Sequence, residues 1–166
     1  MSNAVVVDTN VGVVANGGHA AASLRCQEQC ANALRDARSR LVLIDDRQLV
    51  FTEYRQHLSP SGQPGLGDAF FQWLWDNQAN PRHCRQISIT PRAEDEADFE
   101  EFPADSRLTR FDRSDRKFVA VAIASGIESE ILNASDTDWW HFRDALESNG
   151  LRLRFLCPEL MNGTPK

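Results

Sequence analysis

Acidic residues follow apolar runs at several points of this sequence, and their spacing is suited to metal chemistry. Asp8 ends the run Ala-Val-Val-Val, and Asp136 and Asp138 follow Ile-Leu-Asn at 131–133. In open α/β sheets, ligands bind beyond the carboxyl ends of parallel strands. We therefore expect Asp8 and Asp136 to reach the same edge of one sheet.

Two further acids lie on predicted helices. Glu53 stands at the border of the apolar face of a helix predicted over 47–58, where an acid either points to water or is held inward. Asp115 shares a helical face with Phe118, in the first turn of the clearest predicted helix of the sequence. Asp112 can cap that helix with Asp115 in a capping-box arrangement, so a purely structural role for both acids stays open.

Convergence of four carboxylates without a cation is unfavourable, because like charges a few ångströms apart raise one another's pKa. A divalent ion removes this conflict, and oxygen-only ligands favour Mg²⁺ or Mn²⁺ over zinc. Acid clusters of this kind support two-metal cleavage of phosphodiester bonds.

The composition is that of an ordinary globular protein. The 166 residues predict a single domain over 1–160 and a disordered tail over 161–166. The net charge of −6 argues against a basic nucleic-acid coat protein, but not against an enzyme that reaches nucleic acid through metal ions. No segment is apolar enough to span a membrane and the N-terminus lacks a secretory signal, so we expect a cytoplasmic protein.

The four cysteines point to a reducing compartment, because a chain of this length needs no disulfide. Cys26 and Cys30 are four residues apart and can share a helical face. A zinc site would need two more ligands, and His83 with Cys84 is the remote candidate pair. Small buried thiols are the favoured interpretation.

The hydrophobic pattern predicts an α/β protein with a mainly parallel sheet, an α/β/α sandwich. Asp45 or Asp46 is expected to cap the helix that follows the second strand. A loop is predicted over 12–19 and a solvated helix or loop over the acidic stretch 94–101. The predicted strands are 4–7, 41–44, 87–90, 131–133 and an edge strand at 151–155. The predicted helices are about 20–38, 47–58, 68–78, 111–125 and 139–149.

The helix predicted over 68–78 is apolar around most of its circumference. Burial is the expected fate of its aromatic residues, and a partner or homodimer surface stays open. These aromatic residues are Phe70, Phe71, Trp73 and Trp75.

With these motifs in this order, the sequence resembles the PIN-domain family. The likeness rests on Asp-Thr-Asn at 8–10, a lone Glu53, Asp115 before Phe-Val-Ala-Val-Ala, and Ser-Asp-Thr-Asp-Trp at 135–139. It covers roughly residues 5–155. Trp139 stands where the family usually has Phe, and the segment 59–110 is unusually long.

The resemblance implies a Mg²⁺- or Mn²⁺-dependent ribonuclease, of which many members are toxins neutralised by an antitoxin protein. It implies that Thr9 and Asn10 orient Asp8 or the scissile phosphate, and that Ser135 and Asp112 support the site. By the same resemblance, Asp138 is an auxiliary ligand. The metal-binding and catalytic acids would be Asp8, Glu53, Asp115 and Asp136.

Positive charge for RNA could come from residues beside two of these acids, although ordinary charge pairing on helix surfaces is an equal alternative. These residues are Arg47, Arg55, Arg113, Arg116 and Lys117.

Two other functions compete with the ribonuclease. A catalytically silent PIN-like scaffold or RNA-binding module would not need the full set of acids. A haloacid-dehalogenase-type phosphatase would need a second Asp two residues after the first, and the chain has Asn10 there.

Overall fold

The computed structural model describes residues 3–162, and its architecture is the predicted α/β/α sandwich. The strands are β1 (Ala4–Val7), β2 (Leu41–Asp45), β3 (Cys84–Ile87), β4 (Pro91–Arg92), β5 (Asp95–Phe99), β6 (Ser129–Asn133) and β7 (Leu153–Phe155). The helices are α1 (Thr9–Ala15), α2 (Leu24–Ala37), α3 (Leu49–His57), α4 (Leu66–Asn77), α5 (Arg116–Ala124), α6 (Thr137–His141) and α7 (Arg143–Ser148).

Strand β1 is the centre of a five-stranded sheet with the order β3-β2-β1-β6-β7. Every neighbouring pair in it is parallel. The four residues of β1 are at most 3% exposed, which explains their uninterrupted apolar run. Because β1 and β6 are parallel neighbours, Asp8 and Asp136 emerge at the same edge of the sheet.

The chain enters a helix directly after β1, so the predicted loop over 12–19 is wrong in its first part. Asp8 is the N-cap of α1 and accepts the backbone N–H of Asn10. Val11 and Val14 are buried at helical spacing. Because α1 has only seven residues, this spacing is too short a pattern to predict a helix by itself. Helix α2 consequently starts at Leu24 rather than near residue 20.

The predicted cap of the next helix is confirmed for Asp45. Its carboxylate accepts the N–H groups of Leu49 and Val50 at 2.9 Å, at the start of α3. The predicted strand 87–90 is displaced, since β3 begins three residues earlier at Cys84. The helix predicted over 139–149 is divided into α6 and α7 at Phe142.

The acidic stretch 94–101 is not a solvated helix or loop, because its residues from Asp95 to Phe99 form β5. This strand pairs with β4 as an antiparallel hairpin outside the main sheet. Phe99 is buried beneath it, and Asp98 pairs with Arg92 at 3.3 Å and with Arg116 at 3.2 Å. Its acids therefore serve ion pairs that the linear sequence does not reveal.

Two expectations about the ends of the chain need correction. Cys26 and Cys157 form a disulfide, so the expectation that all four cysteines are free is wrong. Met161 is 1% exposed and lies against the Asn133 amide, so it does not belong to a disordered tail. Residues 163–166 of the predicted tail lie outside the described part of the chain.

The aromatic helix α4 is mostly buried, as expected. Phe70 and Phe71 lie in the core, while Trp75 is 36% exposed with the Arg55 guanidinium 4.6 Å above its ring. Among residues 3–162, no helix is long and apolar enough to cross a membrane.

Close packing of α4 on α1 depends on Gly67, which faces the backbone of Gly12. A Cβ on Gly67 would lie 2.1 Å from the carbonyl oxygen of Gly12, so neither a methyl group nor a larger side chain fits there. This contact places α1, whose N-cap is Asp8, directly against the segment 59–110.

Asp68 fastens the turn that leads into α4. Its carboxylate accepts the backbone N–H groups of Ser59 (2.7 Å) and Gly65 (2.9 Å) and the side-chain amide of Asn16 (3.0 Å). Burial alone would raise the pKa of Asp68, but these hydrogen bonds outweigh it and the pKa is lowered.

We predict that Asp68→Asn lowers the free energy of unfolding by about 1–3 kcal/mol at neutral pH, because an amide cannot accept both backbone N–H groups. A lowered pKa stabilises the fold above the ordinary carboxyl pKa, and this contribution is lost as the pH falls through the folded value. The loss should therefore shrink in acid. Urea denaturation measures it, with exposed Asp76→Asn on the same helix as the matched control; equal effects of the two substitutions would contradict the role of Asp68.

Candidate metal centre

Three predicted ligands meet at the carboxyl edge of the sheet. Asp8 follows β1, Asp136 follows β6, and Asp115 ends a 3₁₀ turn (Arg113–Asp115) that leads into α5. One carboxylate oxygen from each lies within 4.8 Å of the other two. All three residues are at most 7% exposed, so water screens their mutual repulsion poorly.

Asp8 is oriented by hydrogen bonds to both of its oxygens. The Trp139 indole N–H donates to Oδ2 at 2.7 Å, and the Asn10 backbone N–H donates to Oδ1 at 3.2 Å. Trp139 is completely buried and packs edge-on against Phe111. Trp139 thus supplies an N–H donor aimed at Asp8, which a Phe at this position could not provide.

The loop that carries Asp136 is held by two asparagines. The Asn10 amide donates to Asn133 Oδ1 at 2.8 Å and its oxygen accepts the N–H of Ala134 at 2.7 Å and of Ser135 at 3.4 Å. Asn133 in turn accepts the N–H of Asp136 at 3.2 Å. Asn10 thus positions the loop after β6, and Asn133 is a positioning residue that the sequence motif did not single out.

Burial and neighbouring charge act strongly on Asp8. Its burial, followed by the negative charges of Glu53 and Asp136, raises the pKa of Asp8 from 3.8 to about 7, against the smaller opposing effect of the Asn10 and Trp139 hydrogen bonds. A carboxyl with such a pKa is partly protonated near neutral pH, and a metal ion that binds to it must replace the proton.

Glu53 lies beside this group of three rather than within it. The Thr9 hydroxyl donates to Glu53 Oε2, and the Lys117 ammonium donates to Oε1 at 2.7 Å. Lys117 also donates to the Ser114 carbonyl, and its side chain is only 11% exposed. Thr9 therefore orients Glu53, and Lys117 supplies a buried positive charge that the sequence motif did not predict.

The remaining predicted acids and Ser135 take part in hydrogen bonds within the segments that carry Asp115 and Asp136. Asp138 is 2% exposed, and its N–H donates to Asp136 Oδ1 at 3.0 Å. Asp112 caps the 3₁₀ turn by accepting the Ser114 N–H at 2.9 Å. Ser135 lies at the start of the Asp136 loop, where its N–H reaches Asn10.

The predicted basic rim is largely engaged within the protein. Arg116 is buried and donates to the carbonyls of Thr109 and Phe111, while Arg113 is exposed and pairs with Asp95 of the hairpin. Arg47 is exposed and donates to the Ile89 carbonyl at 3.0 Å. Charge pairing thus accounts for Arg113 and Arg116 as well as for Lys117.

A cavity of about 340 Å³ opens beside Glu53 and Lys117. It lies between α3, the hairpin and the 3₁₀ turn. Leu49, Ala97 and Phe99 give it an apolar wall, and Gln56 and Arg113 are among its polar lining residues.

The donor set suits a hard divalent cation. The three converging groups are all carboxylates, without a thiolate or imidazole among them, as Mg²⁺ and Mn²⁺ prefer. The pKa of Asp8 is raised first by burial and then by the charges of Glu53 and Asp136, and a bound cation would favour the ionised carboxylate against both effects.

Comparison with protein-family models, with curated proteins and with solved structures finds no match for this chain. The PIN-domain resemblance and the role of each acid therefore remain predictions.

We predict that Mn²⁺ stabilises the protein more at about pH 8 than at about pH 6, because the ion must displace the proton of Asp8. Between 3.8 and about 7 the folded state holds more protons at Asp8 than the unfolded state, so without metal this residue's contribution to stability falls as the pH rises through that window. Thermal unfolding with Mn²⁺ and with EDTA measures the difference. Exposed Asp144→Asn should behave like the wild type, and a Mn²⁺ shift that persists in Asp8→Asn would contradict the assignment.

We predict that Trp139→Phe weakens Mn²⁺ binding by about 10–100-fold, because it removes the N–H that stabilises the charged form of Asp8 and raises the pKa of that carboxyl. Calorimetry at several pH values measures this loss, which should diminish at high pH. Trp140→Phe, on the same helix, is the control. A loss that is independent of pH would mean that Trp139 acts through packing alone.

Proposed function

We propose that this protein is a divalent-metal-dependent endoribonuclease of the PIN-domain type. The observation that carries the proposal is the meeting of Asp8, Asp115 and Asp136 at the carboxyl edge of a parallel sheet. The order of these acids along the chain is also the order in the family that the sequence resembles.

Asp8, Asp115 and Asp136 would hold Mg²⁺ or Mn²⁺. When bound, such an ion activates water and neutralises charge on the phosphodiester. Trp139 and the Asn10 backbone keep Asp8 in one orientation, and the Asn10–Asn133 contact keeps the Asp136 loop in register with it. The acids are thus preorganised by hydrogen bonds, which limits the rearrangement that binding requires.

Lys117 bears on how many ions the centre takes. Its ammonium already neutralises Glu53, so a second ion at Glu53 has to compete with an ion pair of 2.7 Å. Among the three aspartates, one carboxylate oxygen from each lies within 4.8 Å of the other two, as ligands of a single ion would. The first ion is therefore expected among the aspartates. A two-metal mechanism would require Lys117 to release Glu53 so that a second ion could bind it.

The cavity beside Glu53 supports a nucleic-acid substrate. Its apolar wall of Leu49, Ala97 and Phe99 offers a surface on which a base next to the cleaved bond could pack. Arg113 is exposed at the same cavity, and a phosphate could replace its partner Asp95. The acidic net charge of the chain makes such local cations necessary.

The toxin role, with an antitoxin partner, is the finer form of this proposal. It rests on the family resemblance alone. A cytoplasmic location stays an expectation from the sequence, and a homodimer stays a prediction from the aromatic residues of α4.

We expect the full chain to cleave a mixed single-stranded RNA pool with Mn²⁺ and not with EDTA. Asp115→Ala and the closer isostere Asp115→Asn should lower the rate by at least about a hundredfold, because each removes a charged ligand from the group of three. Gel electrophoresis of the products measures the rate, and Asp144→Asn is the control for charge alone.

An active, folded Asp115→Asn protein would refute the nuclease site. Failure of wild-type protein both to cut RNA and to bind Mn²⁺ would instead favour the silent scaffold. Binding of Mn²⁺ without cleavage of any RNA in the pool would retain the metal centre and reject this substrate class.

A further inference from the structure

A second group of potential metal ligands lies away from the acids and consists of three cysteines. Cys26 and Cys30 are one turn apart on α2, and Cys157 follows β7. Their Sγ atoms all lie within 4.8 Å of one another, with Cys26 and Cys157 joined as a disulfide and Cys30 Sγ at 3.8 Å from Cys157 Sγ. The third cysteine therefore comes from the opposite end of the chain, not from the 83–84 pair that the sequence offered.

The three cysteines form a buried cluster beside a cavity. All three cysteines are at most 1% exposed. Cys26 also lines a cavity of about 630 Å³, together with Arg25 and Gln29 of α2 and with Arg154 and Glu159 near β7. The cavity therefore adjoins the cluster on its Cys26 side.

The sulfur spacing suits tetrahedral zinc. With Zn–S bonds of about 2.3 Å, two sulfurs on one ion lie about 3.8 Å apart. Cys30 and Cys157 already have this separation, whereas Cys26 and Cys157 would have to move apart once the bond between them is broken. A helix turn and one adjacent segment supply all three ligands, and a tetrahedral ion would leave its fourth position to water or an added ligand.

We propose that Cys26, Cys30 and Cys157 form a three-thiolate zinc site when their disulfide is reduced. In the reduction a dithiol passes two electrons and two protons to the Cys26–Cys157 bond and becomes a disulfide itself. Zn²⁺ then replaces the thiol protons, which leave to solvent. Disulfide and zinc are thus alternative cross-links between the same two elements, α2 and the segment after β7.

Cys84 provides a matched control for this site. It is buried like Cys30, and burial raises the pKa of both thiols to about 12, with the charge of Glu159 adding to the effect at Cys30. It does not belong to any group of three metal-ligating side chains among the described residues.

The test is a titration of the full chain with Cd²⁺, a zinc substitute whose thiolate complexes absorb in the ultraviolet, with Zn²⁺ affinity measured by competition against a coloured chelator. After reduction by a phosphine, we expect one ion per chain with a thiolate band, and no band before reduction. Cys30→Ser and Cys157→Ser should weaken binding at least about tenfold, whereas Cys84→Ser should not. Asp115→Asn should also leave the band unchanged, since carboxylates do not give it.

Cys30→Ser retains the Cys26–Cys157 disulfide, so its fold can be verified by circular dichroism before reduction. Absence of the band in reduced wild-type protein would overturn the proposal, as would equal loss in Cys30→Ser and Cys84→Ser. The readout does not involve RNA cleavage, so failure of the zinc site and failure of the proposed nuclease are distinguishable.

Discussion

Three buried carboxylates meet at one edge of the sheet, and the free-energy cost of bringing them together is the main constraint on the structure of this edge. Asp8, Asp115 and Asp136 come from separate elements, and each is at most 7% exposed. A fold selected for stability alone would not gather such groups, because desolvation and like charge both oppose it. The hydrogen bonds of Asp8 reduce this cost without cancelling it, and the pKa of Asp8 stays near 7.

Hydrogen bonds from polar side chains hold together the segments that carry these acids at the carboxyl edge of the sheet. Asn10 links the first turn of α1 to the loop after β6, and Asn133 continues the link to Asp136 and Met161. Tyr54 adds a hydrogen bond of 2.6 Å to the carbonyl of Val7, just before the central acid. These hydrogen bonds join α1, α3 and the loop after β6 at this edge, which favours one arrangement of the acids.

The segment 59–110 contributes to the site through the hairpin formed by β4 and β5. Asp95 and Asp98 pair with Arg113 and Arg116, which flank the acid at 115. Phe99 anchors the same hairpin and forms part of the cavity wall beside Glu53. An acidic stretch that looked solvated in the sequence thus pairs with cations near the site and forms part of the adjacent cavity.

Residues close in sequence determined the elements and part of the site. The run 4–7 predicts a buried central strand, parallel order places the residues after β1 and β6 at one edge, and Asp45 is confirmed as a cap, since each depends on local pattern or on a general rule of sheets. Long-range contacts decided the rest. The contacts that decided it join residues 18 to 131 positions apart: the Lys117–Glu53 ion pair, the Trp139 bond to Asp8, the hairpin's pairs with Arg113 and Arg116, and the meeting of Cys157 with Cys26. Which side chains meet at such separations depends on how helices pack on the sheet, and neither residue type nor spacing records that.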